Sequence, residues 1–225
     1  VAPDAVAKPA KRAASWGNYA VLLQGVYRSR TVLATTMSIA SSFAYNAVAF
    51  GLPVIIASFL AQTMLNTILI SLALNLLFAF VGGLIGVRLV PRVGAWKLTV
   101  VGYAFQLAAL VGLALVGKPD GVSEVVAAIA LLAVFLLGQG FGPGAHTMTY
   151  ASLSYPTSLR GVGVGFNQTL MRASSTLSLF LFPVLAAALS TKVFWVIALA
   201  PLAGLLALLA IRWEPANYDV DAEDF

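Results

Sequence analysis

The chain has 225 residues, of which 60% are apolar and 9% charged, far below the roughly 25% charge of a soluble domain, so a water-soluble globule is excluded. With no cysteine and a single histidine, His146, it offers neither a disulfide framework nor the usual ligands of a zinc site. The net charge of +5 comes from basic residues beside apolar runs, where they set membrane orientation, and is not a nucleic-acid footprint.

Residues 1–14, rich in Ala, Pro and Lys, read as a cytoplasmic linker. The chain opens with Val1 and lacks the basic, apolar and small-residue sections of a signal peptide, so it is expected to be part of a longer protein. Residues 15–30 repeat Trp16, Tyr19, Leu22, Leu23 and Val26 at helical spacing, with Ser15 as a plausible N-cap. This segment is an interfacial amphipathic helix or an ordinary linker helix.

Six apolar stretches follow, at about 33–60, 63–87, 96–117, 124–153, 161–189 and 191–212. Each meets the roughly 20 residues needed to cross a bilayer. The expected organisation is a linker with an amphipathic helix over 1–32, a six-helix bundle over 33–212 and an acidic tail over 213–225. The tail, with Glu214, Asp219, Asp221, Glu223 and Asp224, is expected to be solvated and mobile. Six crossings put ten Lys and Arg residues on one side and only Lys118 and Lys192 on the other. The positive-inside rule then places both termini in the cytoplasm of a multi-pass protein of the plasma (inner) membrane.

Polarity divides the spans. The third and sixth are nearly bare, apart from Tyr103 and Gln106, and read as outer helices facing lipid. The first carries Ser38, Ser42 and Tyr45 on one face, with Ser41 and Asn46 nearby. The fourth carries a stripe of Gln139, Pro143, His146 and Tyr150, and the fifth carries Asn167, Gln168, Arg172 and Ser175. Such stripes imply an interior wall, because polar groups facing lipid would go unsatisfied. The fourth span is also interrupted by GQGFGPGAH, residues 138–146. Pro143 removes a backbone donor, and Gly140, Gly142 and Gly144 permit a bend or close helix approach. The break is a transporter hinge and binding element, or a packing kink.

Arg172 lies about 18 Å along the helix from Arg160, too deep to snorkel easily. Apart from Glu124, the first residue of the fourth, no Asp or Glu occurs in any expected span. Its partner is therefore water, backbone carbonyls, a substrate anion, or a carboxylate elsewhere. His146 is a hydrogen-bonded packing group or a proton relay. The spans also divide three plus three, with the triplets starting on opposite sides, the inverted repeat common in secondary transporters.

Two segments carry a family resemblance. GFGPGAHTMTYASLSYPTSLRGVGVGF, residues 140–166, is similar to the region between helices ten and eleven of major facilitator superfamily transporters, where Pro156, Thr157, Arg160 and Gly161 match a Pro-Thr-x-x-Arg-Gly pattern. VPRVGAWK, residues 90–97, resembles the basic loop between helices eight and nine through Arg92, Gly94 and Lys97. Pro91 and Leu153 stand where that pattern has acidic residues, which puts charge-relay gating in question. The resemblance implies the C-terminal half of a 12-helix transporter, an all-α membrane protein with six transmembrane helices in a 3+3 inverted-repeat bundle. It implies a cavity lined by Tyr45, Asn46, Asn75, Gln139, His146, Asn167, Gln168 and Arg172, and hinge or gating positions at Gly140, Gly142, Pro143, Gly144, Arg92 and Arg160. The expected function is alternating-access movement of a small metabolite, an organic acid or a sugar or polyol, the expected partners being a proton and an N-terminal six-helix half, with no metal and no cofactor. A non-transporting scaffold or receptor-like subunit is the rival. A membrane enzyme lacks a catalytic constellation, and a nucleotide-driven pump lacks a phosphate loop.

Overall fold

Within lipid, each backbone N–H and C=O must find its partner inside the protein, and a helix does this within one segment. A computed structural model describes residues 16–60, 64–119, 121–215 and 218–222, and the regular elements among them are all helical. The expected linker over 1–14, the Ser15 cap, Glu223 and Asp224 lie outside the described residues.

The elements are α1 (Trp16–Val21), α2 (Gly25–Leu60) and α3 (Met64–Leu74), which runs through a π-helical segment, Asn75–Phe80, into α4 (Val81–Val93). Next come α5 (Ala95–Val116), α6 (Val122–Phe141), α7 (Pro143–Leu153), α8 (Thr157–Leu189) and α9 (Val193–Ala210). Five stretches among the described residues are long and apolar enough to cross a membrane. The last, Thr157–Ala210, has 54 residues, about 80 Å as a straight helix against a hydrocarbon core of about 30 Å. Its two ends nevertheless lie together, since Thr157 is bonded to Asp221 and Trp213 to Ser154. Ser190, at φ 51°, starts the 3₁₀ turn Ser190–Lys192 between α8 and α9.

Glycine sets the packing on one side of the bundle. A methyl group on Gly82 of α4 would sit 2.7 Å from the Leu137 carbonyl oxygen, and one on Gly86 would sit 2.9 Å from that of Phe141. One on Gly102 of α5 would sit 2.6 Å from the Cα of Gly142. Helices α4, α5 and α6 therefore touch backbone to backbone, the contact that small residues permit in membranes. On the other side, α2 and α8 are joined by side chains. Ser42 Oγ donates to the Met171 carbonyl at 3.1 Å, Ser174 Oγ to Ile39 at 3.0 Å, and Ser178 Oγ to Phe43 at 2.7 Å.

The termini depart from expectation in two ways. Residues 16–30 are not one helix. α1 ends at Val21, Gly25 adopts φ 52°, and α2 begins there. The reason is tertiary: Leu22 is buried against Tyr155 and Leu159, and Thr31 Oγ1 donates to the Leu22 carbonyl at 2.8 Å. The acidic tail is also anchored rather than free. Glu214 accepts the N–H groups of Ala95 and Trp96 at 3.2 and 2.9 Å, capping α5. Asp221 accepts the N–H and hydroxyl of Thr157 at 2.6 and 2.9 Å, capping α8. Both carboxylates meet the positive end of a helix dipole. Trp213 lies 3.9 Å below the buried Arg30 guanidinium and donates through Nε1 to Ser154 Oγ at 3.2 Å.

Candidate functional site

The break in the fourth apolar stretch falls at Gly142. Helix α6 ends at Phe141, and α7 starts with Pro143 in its first turn, where a missing N–H costs nothing. Gly138, Gly142 and Pro143 meet Gly102 of α5, while Gly140 meets Ala79, Gly82 and Gly83. Gly144 lines a cleft, and a methyl there would sit 2.6 Å from the Gln139 carbonyl oxygen.

That cleft, about 470 Å³, lies between α2, α7 and α8. Helix α2 contributes Ser41, Ser42, Tyr45 and Asn46. The α6–α7 region contributes Gln139, Gly144, Thr147 and Met148, and α8 contributes Gln168, Met171, Arg172 and Ser175. Five of the residues expected in a cavity are thus brought together: Tyr45, Asn46, Gln139, Gln168 and Arg172. Three are not among its lining. Asn75 donates to the Ser71 carbonyl at 3.0 Å and accepts the Tyr45 hydroxyl at 3.3 Å, so it stands behind Tyr45. Asn167 is fully buried and donates to Ser38 Oγ at 3.0 Å. His146 is buried, and its Nε2 has no hydrogen-bond partner among the described residues.

Most of the polar groups in the wall are committed to the fold. Gln139 accepts a hydrogen bond from Gln106 of α5 and donates to Ser41 Oγ at 3.0 Å. Gln106 therefore belongs to the buried support of the cleft, though it lies on a span that reads as bare. Its depth inside an apolar helix was the available signal, because an amide there needs a partner. Asn46 donates to the Ser42 carbonyl at 2.6 Å. Arg172, midway along α8, has no hydrogen bond or ion pair among the described residues, and no Asp or Glu lines the cleft. Ser41, Ser42, Thr147, Met148, Met171 and Ser175 complete the lining. The serines lay on the recognised stripes, whereas Thr147, Met148 and Met171 carried no signal in isolation.

The sequence pattern of the family described as "Sugar (and other) transporter" matches residues 4–213. This chain belongs to that family, within the major facilitator superfamily. No curated protein matches the chain. Members of the sugar transporter family are transporters rather than enzymes, so the chain is a membrane transport protein of the sugar and metabolite class. The family also explains why the break and the polar stripes sit on neighbouring helices, since broken helices lining a cavity are a recurrent transporter device.

The two basic gating candidates differ. Arg92 is exposed in the last turn of α4. Arg160 pairs with Asp221 at 3.4 Å, and its Nε donates to the Tyr155 carbonyl at 3.4 Å. Where Pro91 and Leu153 replace acidic residues of the superfamily pattern, the neighbouring helix starts take carboxylates from the tail instead, Glu214 at α5 and Asp221 at α8.

Proposed function

We propose that this chain is the C-terminal six-helix half of a secondary transporter that moves a small metabolite, an organic acid or a sugar or polyol, by alternating access. Its bundle, over about 33–212, crosses the plasma (inner) membrane six times as a 3+3 inverted repeat. A cytoplasmic linker over 1–32 precedes it, and an acidic cytoplasmic tail from 213 follows. The return of Thr157–Ala210 to its starting end supports the sixth crossing. The working partner is an N-terminal six-helix half that closes the open side of the cleft and rocks against this one.

One observation carries the reading: Arg172 faces a metabolite-sized cleft with no carboxylate in its wall. Clefts of about 300–1,000 Å³ suit small ligands, and a cation at this depth calls for an anion. That anion is a group on the solute, or a carboxylate of the other half. Gly140, Gly142, Pro143 and Gly144 form the hinge where α7 turns away from α6. Transport is coupled to protons through a carboxylate in the N-terminal half, with His146 the titratable alternative in this one.

The test is uptake by the full-length transporter in proteoliposomes, against protein-free vesicles, for a panel of sugars, polyols and organic acids with and without a pH gradient. Arg172→Ala should lower anion uptake about 100-fold, the scale of removing one partner from a desolvated charge pair, while the protein still inserts and stays monodisperse. Arg172→Lys should rescue little, since an ammonium cannot reproduce the two-pronged geometry. Neutral-sugar uptake that survives Arg172→Ala would make Arg172 a structural charge.

A further inference from the structure

A second cleft, about 530 Å³, opens beside the first between α4 and α7. The two share Tyr45, Gln139 and Gly144 in their walls, so they adjoin. Their chemistry differs sharply. Beyond the shared residues, the second cleft is lined by Ala79, Phe80, Gly83, Leu84, Val87, Gly140 and Ala145, none of them polar in its side chain.

We infer that the solute is an organic anion with an apolar body of several carbons, its carboxylate held at Arg172 and its body lying in the second cleft. This rests on the transporter reading and narrows its substrate class. The hydrogen-bonding inventory favours it over a sugar. The Gln139, Asn46 and Asn75 amides and the Tyr45 hydroxyl all bond within the protein, leaving few groups to satisfy the many hydroxyls of a polyol. The groups still open to a ligand include Gln168, Arg172 and Ser175, spaced four and three residues apart on one face of α8. Arg172 can only donate, and the Gln168 amide nitrogen touches only the sulfur of Met148, a weak acceptor. A carboxylate, which only accepts, can take a hydrogen bond from each of the three. A hydroxyl-rich solute would find few open acceptors, Gln168 Oε1 and Ser175 Oγ among them, and a neutral apolar solute would leave the guanidinium bare.

The experiment is a binding titration on the purified full-length transporter, followed by thermal shift, with acetate, butanoate, hexanoate and benzoate, the neutral hexanamide, and glucose and inositol. Affinity should rise about fourfold per added methylene as the body enters the apolar cleft, and hexanamide, glucose and inositol should fail to bind. Leu84→Asn should flatten the chain-length series, and Arg172→Ala should erase the preference for hexanoate over hexanamide. Sugar binding without carboxylate binding would overturn the inference and leave the transporter reading standing. A carboxylate series with no chain-length trend would also overturn it, assigning the second cleft to the N-terminal half. Binding of no probe overturns it too, and the uptake experiment then decides the transporter reading separately.

Discussion

The two sides of the bundle are held together by different means. Between α4, α5 and α6 the contact is glycine backbone on glycine backbone, at Gly82, Gly86, Gly102 and Gly138 through Gly142. Between α2 and α8 it is a ladder of serine hydroxyls bonded to carbonyls one helix away. In lipid, apolar burial does not drive helices together, so close packing and hydrogen bonds must do so. A glycine seam has no atom to spare and fixes α4 and α5 against α6, up to the turn where α7 departs. A hydroxyl ladder can lose one rung at modest cost. The cleft lies on the hydroxyl side, so its walls can adjust while the back of the bundle stays rigid.

Three substitutions probe that contrast, in order of expected effect. Gly102→Ala places a methyl 2.6 Å from the Gly142 Cα and 2.7 Å from the Gly138 carbonyl. It should cost ~3 kcal/mol or more, the upper range for overpacking, and show as lost monodisperse protein on size exclusion. Gln139→Leu comes next, because it strands the buried Gln106 amide. A fall in thermal stability equivalent to ~1–3 kcal/mol is expected for that unsatisfied donor. Ser178→Ala removes one rung and should cost ~0.6 kcal/mol, the average for such bonds in a membrane protein. If Ser178→Ala proved as damaging as Gly102→Ala, the distinction between the two sides would collapse.

Asp221 supplies a control outside both interfaces. The Thr157 N–H and hydroxyl, aided by Arg160, hold its carboxyl below the usual carboxylate range. Its folded value is therefore lower than its unfolded one, so its contribution is complete above the unfolded value of about 3.9. It is lost only as the pH falls through the lowered folded value. Hydrogen exchange at the Thr157 amide should stay protected down to about pH 4 and open below. Asp221→Asn should weaken that protection slightly at neutral pH and remove the acid step, without touching either helix interface.

What the sequence made legible follows from range. The apolar runs and the i, i+4 stripes are local, so helical spans and their polar faces could be read directly. The exact rotation of a face is not local. Spacing put Asn167 and Gln168 side by side, yet Asn167 turns to Ser38 while Gln168 meets the cleft. Gln106 shows the same limit, because its partner Gln139 lies on another helix. The tail was least legible. Glu214 finds its partners 118 and 119 residues away, and an acidic end reads as solvent-exposed until the helix starts it caps are in place.

The stacking of Arg30 on Trp213 joins the first residues of α2 to the segment just beyond α9. Helix α2 walls the cleft, whereas α9 turns Trp195, Leu199, Leu206 and Leu209 outward. At that end, an outer helix with an exposed apolar face and a helix that walls the cleft are joined as one lever. A thinner or thicker membrane, which tilts its outer helices to match, would therefore register at the cleft without any ligand changing place.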